Sequence, residues 1–383
     1  MILNISDNQN IIHNRIREAK LQLKRTSNPD ERMALYKYIE EMSDKEQLAQ
    51  GKEPYIREKD IYGSHLNNIL IRHRIHKLEK QQISNYIQNK DFISGYLGQI
   101  TLGVEKRYPN DEEDRIDLFT EVSVDDFSDI FYQFLKSINL DSFFNELVKN
   151  NYIFSHSSLY NNTYGTTSYN PISKNADIFL YSFIPDVQSL LTLAHETGHA
   201  YDLTLFNKNA KCYNRYLYQS LYGEAISKAF ERLLIDYLIN NNILVNDAHD
   251  LLLSLENSNH QFLLASYILS VLNKKYLINN RFLDMPPKKL YTLIKQYVSS
   301  NAEDLPATME YNDLQTITLD AFGDILSMFL VERIKEEGFN DDFCRIFLNE
   351  RDKLFNPDFF RKNGLSPDSY LELYEKELQL LKK

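Results

Sequence analysis

Apolar residues return every three or four positions through most of the chain, and that spacing predicts helices. Leu70, Ile71, Ile75 and Leu78 follow it inside NNILIRHRIHKLEK, within a polar first part rich in Lys, Glu and Gln. Pro109 and the run NDEED at 110–114 read as an exposed turn. The stretch VDDFSDIFYQFLKSINLDSFFNELVKN then resumes the helical rhythm, with acidic residues near its start where the helix dipole favours them. Residues 1–150 are therefore expected to form a set of packed helices.

The pattern changes over 151–185, which is rich in Ser, Thr, Asn and Tyr and contains Gly165 and Pro171. DIFLYSF, Asp177 to Phe183, has the aromatic and branched content of a short strand, and SYNPISKN before it reads as a turn. A small sheet is expected here. From Pro185 and Asp186 the helical period returns, with Val187, Leu190, Leu191, Ala194 and Leu203 at its apolar positions. Further helices are expected over GEAISKAFERLLIDYLI, HQFLLASYILSVLNKKYLI and LDAFGDILSMFLVERIKEEG, the last ended by Gly338. No internal repeat or low-complexity segment is evident.

With 383 residues the chain can build two lobes or one large helical domain. Only 11 Gly and 10 Pro are present, which favours helices over a turn-rich β fold, so a mainly α protein is expected. A formal net charge of -11 argues against a nucleic-acid partner held through phosphates. Cys212 and Cys344 stand far apart with no nearby cysteine, which supports neither a disulfide framework nor a cysteine-ligated metal and fits a reducing cytoplasm. The N-terminus lacks the order of a signal peptide, and no run of about 18 apolar residues occurs, so a soluble, unexported protein with no membrane partner is expected. Nothing in the sequence sets an oligomeric state.

The chemistry concentrates in LTLAHETGHAYDL, where His195, Glu196 and His199 form an HExxH arrangement. On a helix, residues four apart are rotated by only about 40°, so both imidazoles would point one way and could share an ion. Two imidazoles to hold zinc and a neighbouring carboxylate, Glu196, to take a proton from water are what a zinc hydrolase needs. A catalytic zinc takes a third protein ligand, and in the class that uses a carboxylate it comes from a following helix. Glu224 in LYGEAISKAFERLL is the candidate. Glu231 falls two turns further along the same face, where it could orient a ligand imidazole. Gly198 costs about 1 kcal/mol relative to Ala inside a helix, which points to a packing reason such as close approach of the Glu224 helix.

These segments resemble the thimet oligopeptidase and oligoendopeptidase F family of zinc metallopeptidases. SYNPISKNADIFLYSF followed by DVQSLLTLAHETGHAYD is similar to the family's strand, connection and HExGHA helix. GEAISKAFERLL is similar to its third-ligand segment, with Glu224 at the ligand position and Glu231 at the later acidic position. LDAFGDILSMFLVERI and NPDFFRKNGLSPDSYLELYEKEL are more loosely similar to the closing helices, so the likeness runs over roughly 160–383. The resemblance implies a helical, two-lobed fold with a small sheet beside the HExxH helix and a deep channel, zinc as cofactor, and cleavage of short unstructured peptides. It divides the chain into a reduced N-terminal helical lobe, 1–150, and a zinc-binding catalytic domain, 151–383.

Two departures stand out. The chain is much shorter than typical members, and where the family carries a histidine and tyrosines that donate to the scissile carbonyl, TMEYNDLQTITLDAFGD has no histidine and one tyrosine, Tyr311. Tyr311 is the candidate replacement. Two readings follow: a zinc-dependent oligopeptidase in which Glu196 is the general base, or a zinc-binding peptide-binding or structural protein with weak or lost catalysis. His73 and His76 read as part of a solvated basic face, and His156, His249 and His260 have no partner at ligand spacing.

Overall fold

The computed structural model describes residues 9–49, 88–107, 119–150, 153–156, 165–181, 183–209, 221–276, 311–339 and 357–382. Leu70 to Leu78, His73, His76, the 110–114 turn, Cys212 and Cys344 lie outside the described residues. The described part is mainly helical with one small sheet, as the apolar spacing predicts.

Helices α1 (Gln9–Arg25) and α2 (Pro29–Ala49) form a hairpin that buries Ile12, Ile16 and Ala19 against Leu35, Tyr38 and Met42. Helix α3 covers 88–105. The long block from Val124 is two helices, α4 (Val124–Ser137) and α5 (Asp141–Lys149). Ser123 caps the first by accepting from the Asp126 N–H at 3.1 Å, and Asn139, with φ of 61°, turns the chain between them. Asn tolerates this left-handed conformation better than most residues, which is why the break falls there.

The sheet has strand order β1-β3-β2, from Ile153–His156, Gly165–Asn170 and Asn175–Tyr181. β1 runs parallel and β2 antiparallel to the central β3. The segment SYNPISKN is thus only partly a turn: its first residues belong to β2, and the turn is Pro171 to Lys174. Asn170 holds that turn by accepting from the Ile172 N–H at 3.0 Å. Thr166, Thr167 and Tyr169 favour a strand, and pairing with β3 overrides the weaker strand preference of Ser168 and Asn170.

Alternation along β3 assigns its two faces. Ala176, Ile178 and Leu180 enter the main core, whereas Phe179 packs against α1 and α2. On that second face Asp177 accepts from the Tyr38 hydroxyl at 2.6 Å and pairs with Arg15 at 3.4 Å. Lys45 of α2 sits over the Phe179 ring, 3.8 Å from its centroid, and donates to the Ser168 hydroxyl of β2.

The remaining helices are α6 (Val187–Asn209), α7 (Leu221–Asn240), α8 (Val245–Tyr276), α9 (Tyr311–Glu337), α10 (Pro357–Lys362) and α11 (Pro367–Leu378). Asp186 starts α6 by accepting from the Ser189 N–H at 2.8 Å. Helices α8 and α9 begin well before the runs that predicted them: α8 already buries Leu251 and Leu252 ahead of His260, and no Gly or Pro interrupts the first turns of either helix. Gly338, with φ of +72°, ends α9 as expected. Helix α7 is central: Ala225, Ile226, Ala229, Phe230, Leu233, Leu234, Ile235 and Leu238 are all buried, on every side of the helix. Buried side chains of α3, α4, α5, β3 and α6 to α11 share one hydrophobic core. No described helix is long and apolar enough to cross a membrane.

Candidate metal centre

His195 and His199 lie one turn apart on α6, which packs against the sheet on one side and α7 on the other. The approach of α7 depends on Gly198. A Cβ there would stand 2.6 Å from Ser227 Cα and 3.2 Å from the Ile226 carbonyl oxygen, so the two backbones touch. This contact sets Glu224, in the first turn of α7, opposite the two histidines. Helix α9 closes in behind it, with Gly323 so near that a Cβ would lie 2.8 Å from Glu224 Cβ.

Ligand atoms of His195, His199 and Glu224 all lie within 4.8 Å of one another. The two Nε2 atoms are 3.0 Å apart, His199 Nε2 is 3.7 Å from Glu224 Oε1, and His195 Nε2 is 3.9 Å from Glu224 Oε2. Donors each about 2.1 Å from a tetrahedral zinc ion are about 3.4 Å apart, and the three separations straddle that value. Two imidazoles and one carboxylate are also the donor set of catalytic zinc sites, so chemistry and spacing both fit the ion.

Behind this group, His195 Nδ1 meets Glu231 Oε1 at 2.6 Å. Burial opposes a charge on His195, but Glu231, with Glu196 and Glu224, outweighs it and raises the imidazole pKa to about 9. Burial likewise pushes the Glu231 carboxyl up, and His195 more than reverses this, so its pKa is lowered. With the ring neutral, Glu231 accepts the Nδ1 proton and leaves the Nε2 lone pair facing Glu224 and His199.

Glu196, only 5% exposed, turns toward the sheet. The Thr167 hydroxyl of β2 lies 2.5 Å from Glu196 Oε2 and 3.0 Å from the Glu196 carbonyl oxygen. Tyr311 is the first residue of α9, and its side chain lies outside the described part of the structure. His249 Nε2 donates to the Leu380 carbonyl oxygen of the C-terminal segment at 3.1 Å and is no part of this group.

Three neighbours were not singled out from the sequence. Lys228 lies one turn beyond Glu224 and reaches Asn259 Oδ1 at 3.5 Å, and its i+4 spacing from Glu224 was the available signal. Asp320 of α9 has its carboxyl pKa raised to about 6, by burial first and then by Glu224, with Lys228 and His195 opposing. Thr167 comes from a strand 29 residues before Glu196, and no sequence spacing marks it.

The chain is similar in structure to PZ peptidase A, solved with an inhibitor, at a TM-score of 0.50 and 12% identity, over 94% of this chain and 71% of that one. It is also similar to a protein described as a peptidase from Chlamydophila abortus, at a TM-score of 0.48 and 14% identity over 98% of this chain. A third is a protein described as an oligoendopeptidase F from Bacillus anthracis str. Ames, at a TM-score of 0.49 and 15% identity over 91% of this chain. The chain spans 63% of the length of each of these last two. No family model matches the sequence, and no curated protein matches it. At such identities the likeness is one of fold: a mainly helical architecture with a small sheet, shared with PZ peptidase A.

Proposed function

We propose that the chain is a zinc-dependent metallopeptidase that hydrolyses short unstructured peptides. The observation that carries this reading is the convergence of His195, His199 and Glu224 within 4.8 Å, with Glu196 one residue from the first ligand. The shared fold with a peptidase supports it. In this reading 1–150 act as a reduced N-terminal lobe and 151–383 as the catalytic domain, working in the cytoplasm.

His195, His199 and Glu224 would hold the ion. Zinc supplies Lewis acidity when bound, bringing the pKa of a coordinated water toward about 7 and polarising a carbonyl. Glu231 keeps the His195 ring in one tautomer through its bond to Nδ1. Glu196 takes a proton from the attacking water and passes it to the departing amine, so it ends each cycle as it began. Tyr311, at the start of α9, is assigned as hydrogen-bond donor to the scissile carbonyl oxygen as it gains charge.

The test is to incubate metal-quantified protein and its Glu196→Gln variant with a mixed peptide library and read the fragments by mass spectrometry. Fragments from the wild type but not the variant are expected. Bound zinc without cleavage by either protein would leave the peptide-binding reading in its place. A protein that takes up no stoichiometric metal would overturn both.

A further inference from the structure

Glu196 is seated by β2 at two points. Thr167 and Gly165 alternate onto the same face of the strand, and the ladder holds them in register with Ile178 and Leu180 of β3. Thr167 Oγ1 is 2.5 Å from Glu196 Oε2. A Cβ on Gly165 would stand 2.9 Å from Glu196 Cγ and 3.1 Å from Oε1.

The threonine hydroxyl carries one hydrogen. Both Glu196 Oε2 and the Glu196 carbonyl oxygen are within its reach, but the carboxylate oxygen is nearer and charged, and so is the stronger acceptor. Glu196 Oε1 accepts no hydrogen bond from the described residues. The two oxygens of one carboxylate are thereby made unequal, because an oxygen already accepting a strong hydrogen bond is the poorer proton acceptor.

We propose that Thr167 is a positioning residue for Glu196: its hydroxyl ties down Oε2 so that Oε1 takes the proton from the attacking water, while Gly165 keeps the Oε1 side uncrowded. This assignment rests on the metallopeptidase reading. The step balances simply: an O–H bond of water breaks, an O–H bond forms at Oε1, and that proton leaves with the amine of the cleaved peptide. Oε2 keeps its bond to Thr167 throughout. The strand supplies what the helix cannot, since a glutamate on α6 alone is free to rotate about its last torsions.

Zinc-loaded wild type, Thr167→Val, Thr167→Ser and Glu196→Gln are compared in steady-state kinetics on a quenched fluorogenic peptide taken from the library fragments. Valine preserves shape and removes the donor, so kcat should fall by about 10–100-fold with KM within about twofold and zinc content unchanged. Serine restores the hydroxyl and should bring kcat back to within about threefold of wild type. A crystal structure of zinc-loaded Thr167→Val should show the Glu196 carboxylate displaced. Wild-type kcat in Thr167→Val, an unmoved Glu196 in its crystals, or equal losses in the Val and Ser variants would each overturn the assignment alone. Should the Val variant fail to fold, Thr167→Ala carries the same comparison against Ser. A wild type that cuts no peptide overturns the metallopeptidase reading and this assignment with it.

Discussion

Gly198 and Ser227 pass backbone to backbone: a Cβ at position 198 would stand 2.6 Å from Ser227 Cα and 3.0 Å from its amide nitrogen. Neither atom belongs to a flexible side chain that can swing aside. Gly198→Ala would gain about 1 kcal/mol of helix propensity but force α6 and α7 apart, at a cost of about 1–3 kcal/mol or more. The variant is expected to melt several degrees lower and to bind zinc more weakly, because the same contact sets Glu224 against the histidines. Thermal unfolding and metal titration check both; an unchanged affinity would detach Gly198 from the metal centre.

The bond between Glu231 and His195 Nδ1 predicts an effect on metal binding without loss of a ligand. Glu231→Gln keeps the shape and removes the charge that orients the ring. Zinc affinity is expected to fall by about 10–100-fold at unchanged stoichiometry. Competition against a chromophoric chelator measures it, and wild-type affinity in the variant would show that His195 is oriented by other contacts.

Arg232 ties four helices together and sets a pH dependence. It pairs with Asp324 of α9 at 2.6 Å, Glu256 of α8 at 3.0 Å and Glu377 of α11, all buried or nearly so. Three acids face one guanidinium. Burial raises the Glu256 carboxyl to about 8, with Arg232 opposing and Glu377 and Asp324 adding to the rise. The folded protein therefore holds a proton there that the unfolded chain gives up near its ordinary value of 4.5. Stability from this group is full below about pH 4.5 and is lost as pH rises toward 8. Glu256→Gln, which mimics the protonated form, should match wild type near pH 5 and exceed it by about 1–3 kcal/mol at pH 8. Urea unfolding at the two pH values decides it; a variant less stable at both would reverse the sign argued here.

Tyr38 and Asp177 join the N-terminal hairpin to the back of the sheet through a buried 2.6 Å hydrogen bond. Tyr38→Phe leaves that oxygen of Asp177 with Asn170 at 3.4 Å as its remaining partner. The loss is expected to cost about 1–3 kcal/mol. Zinc content should not change, since this face of β3 looks away from α6. Calorimetry together with metal analysis checks the pair of outcomes.

The apolar period made most helices legible, and their ends less so. Gly338 could be read as a stop because its left-handed backbone suits glycine. The split at Asn139 could not, because the apolar rhythm runs on across it. SYNPISKN misled in the opposite direction: its polar residues suggest a turn throughout, yet part of it is strand β2 once β3 is beside it. At the site, His195 and His199 were readable as a pair because a helix converts a spacing of four into a shared direction. Glu224 and Gly198 were readable as an expectation, from residue type and position on adjoining helices.

By itself, then, the sequence determined the helical character, the set of donor side chains and which of them share a helix face, because these follow from local backbone geometry. Only the tertiary structure decided that α7 meets α6 at Gly198, that Glu231 reaches His195 Nδ1, and that Thr167 reaches Glu196 from a separate strand. Those relationships depend on how helices and strands pack across long stretches of chain, and packing is set by the whole core at once.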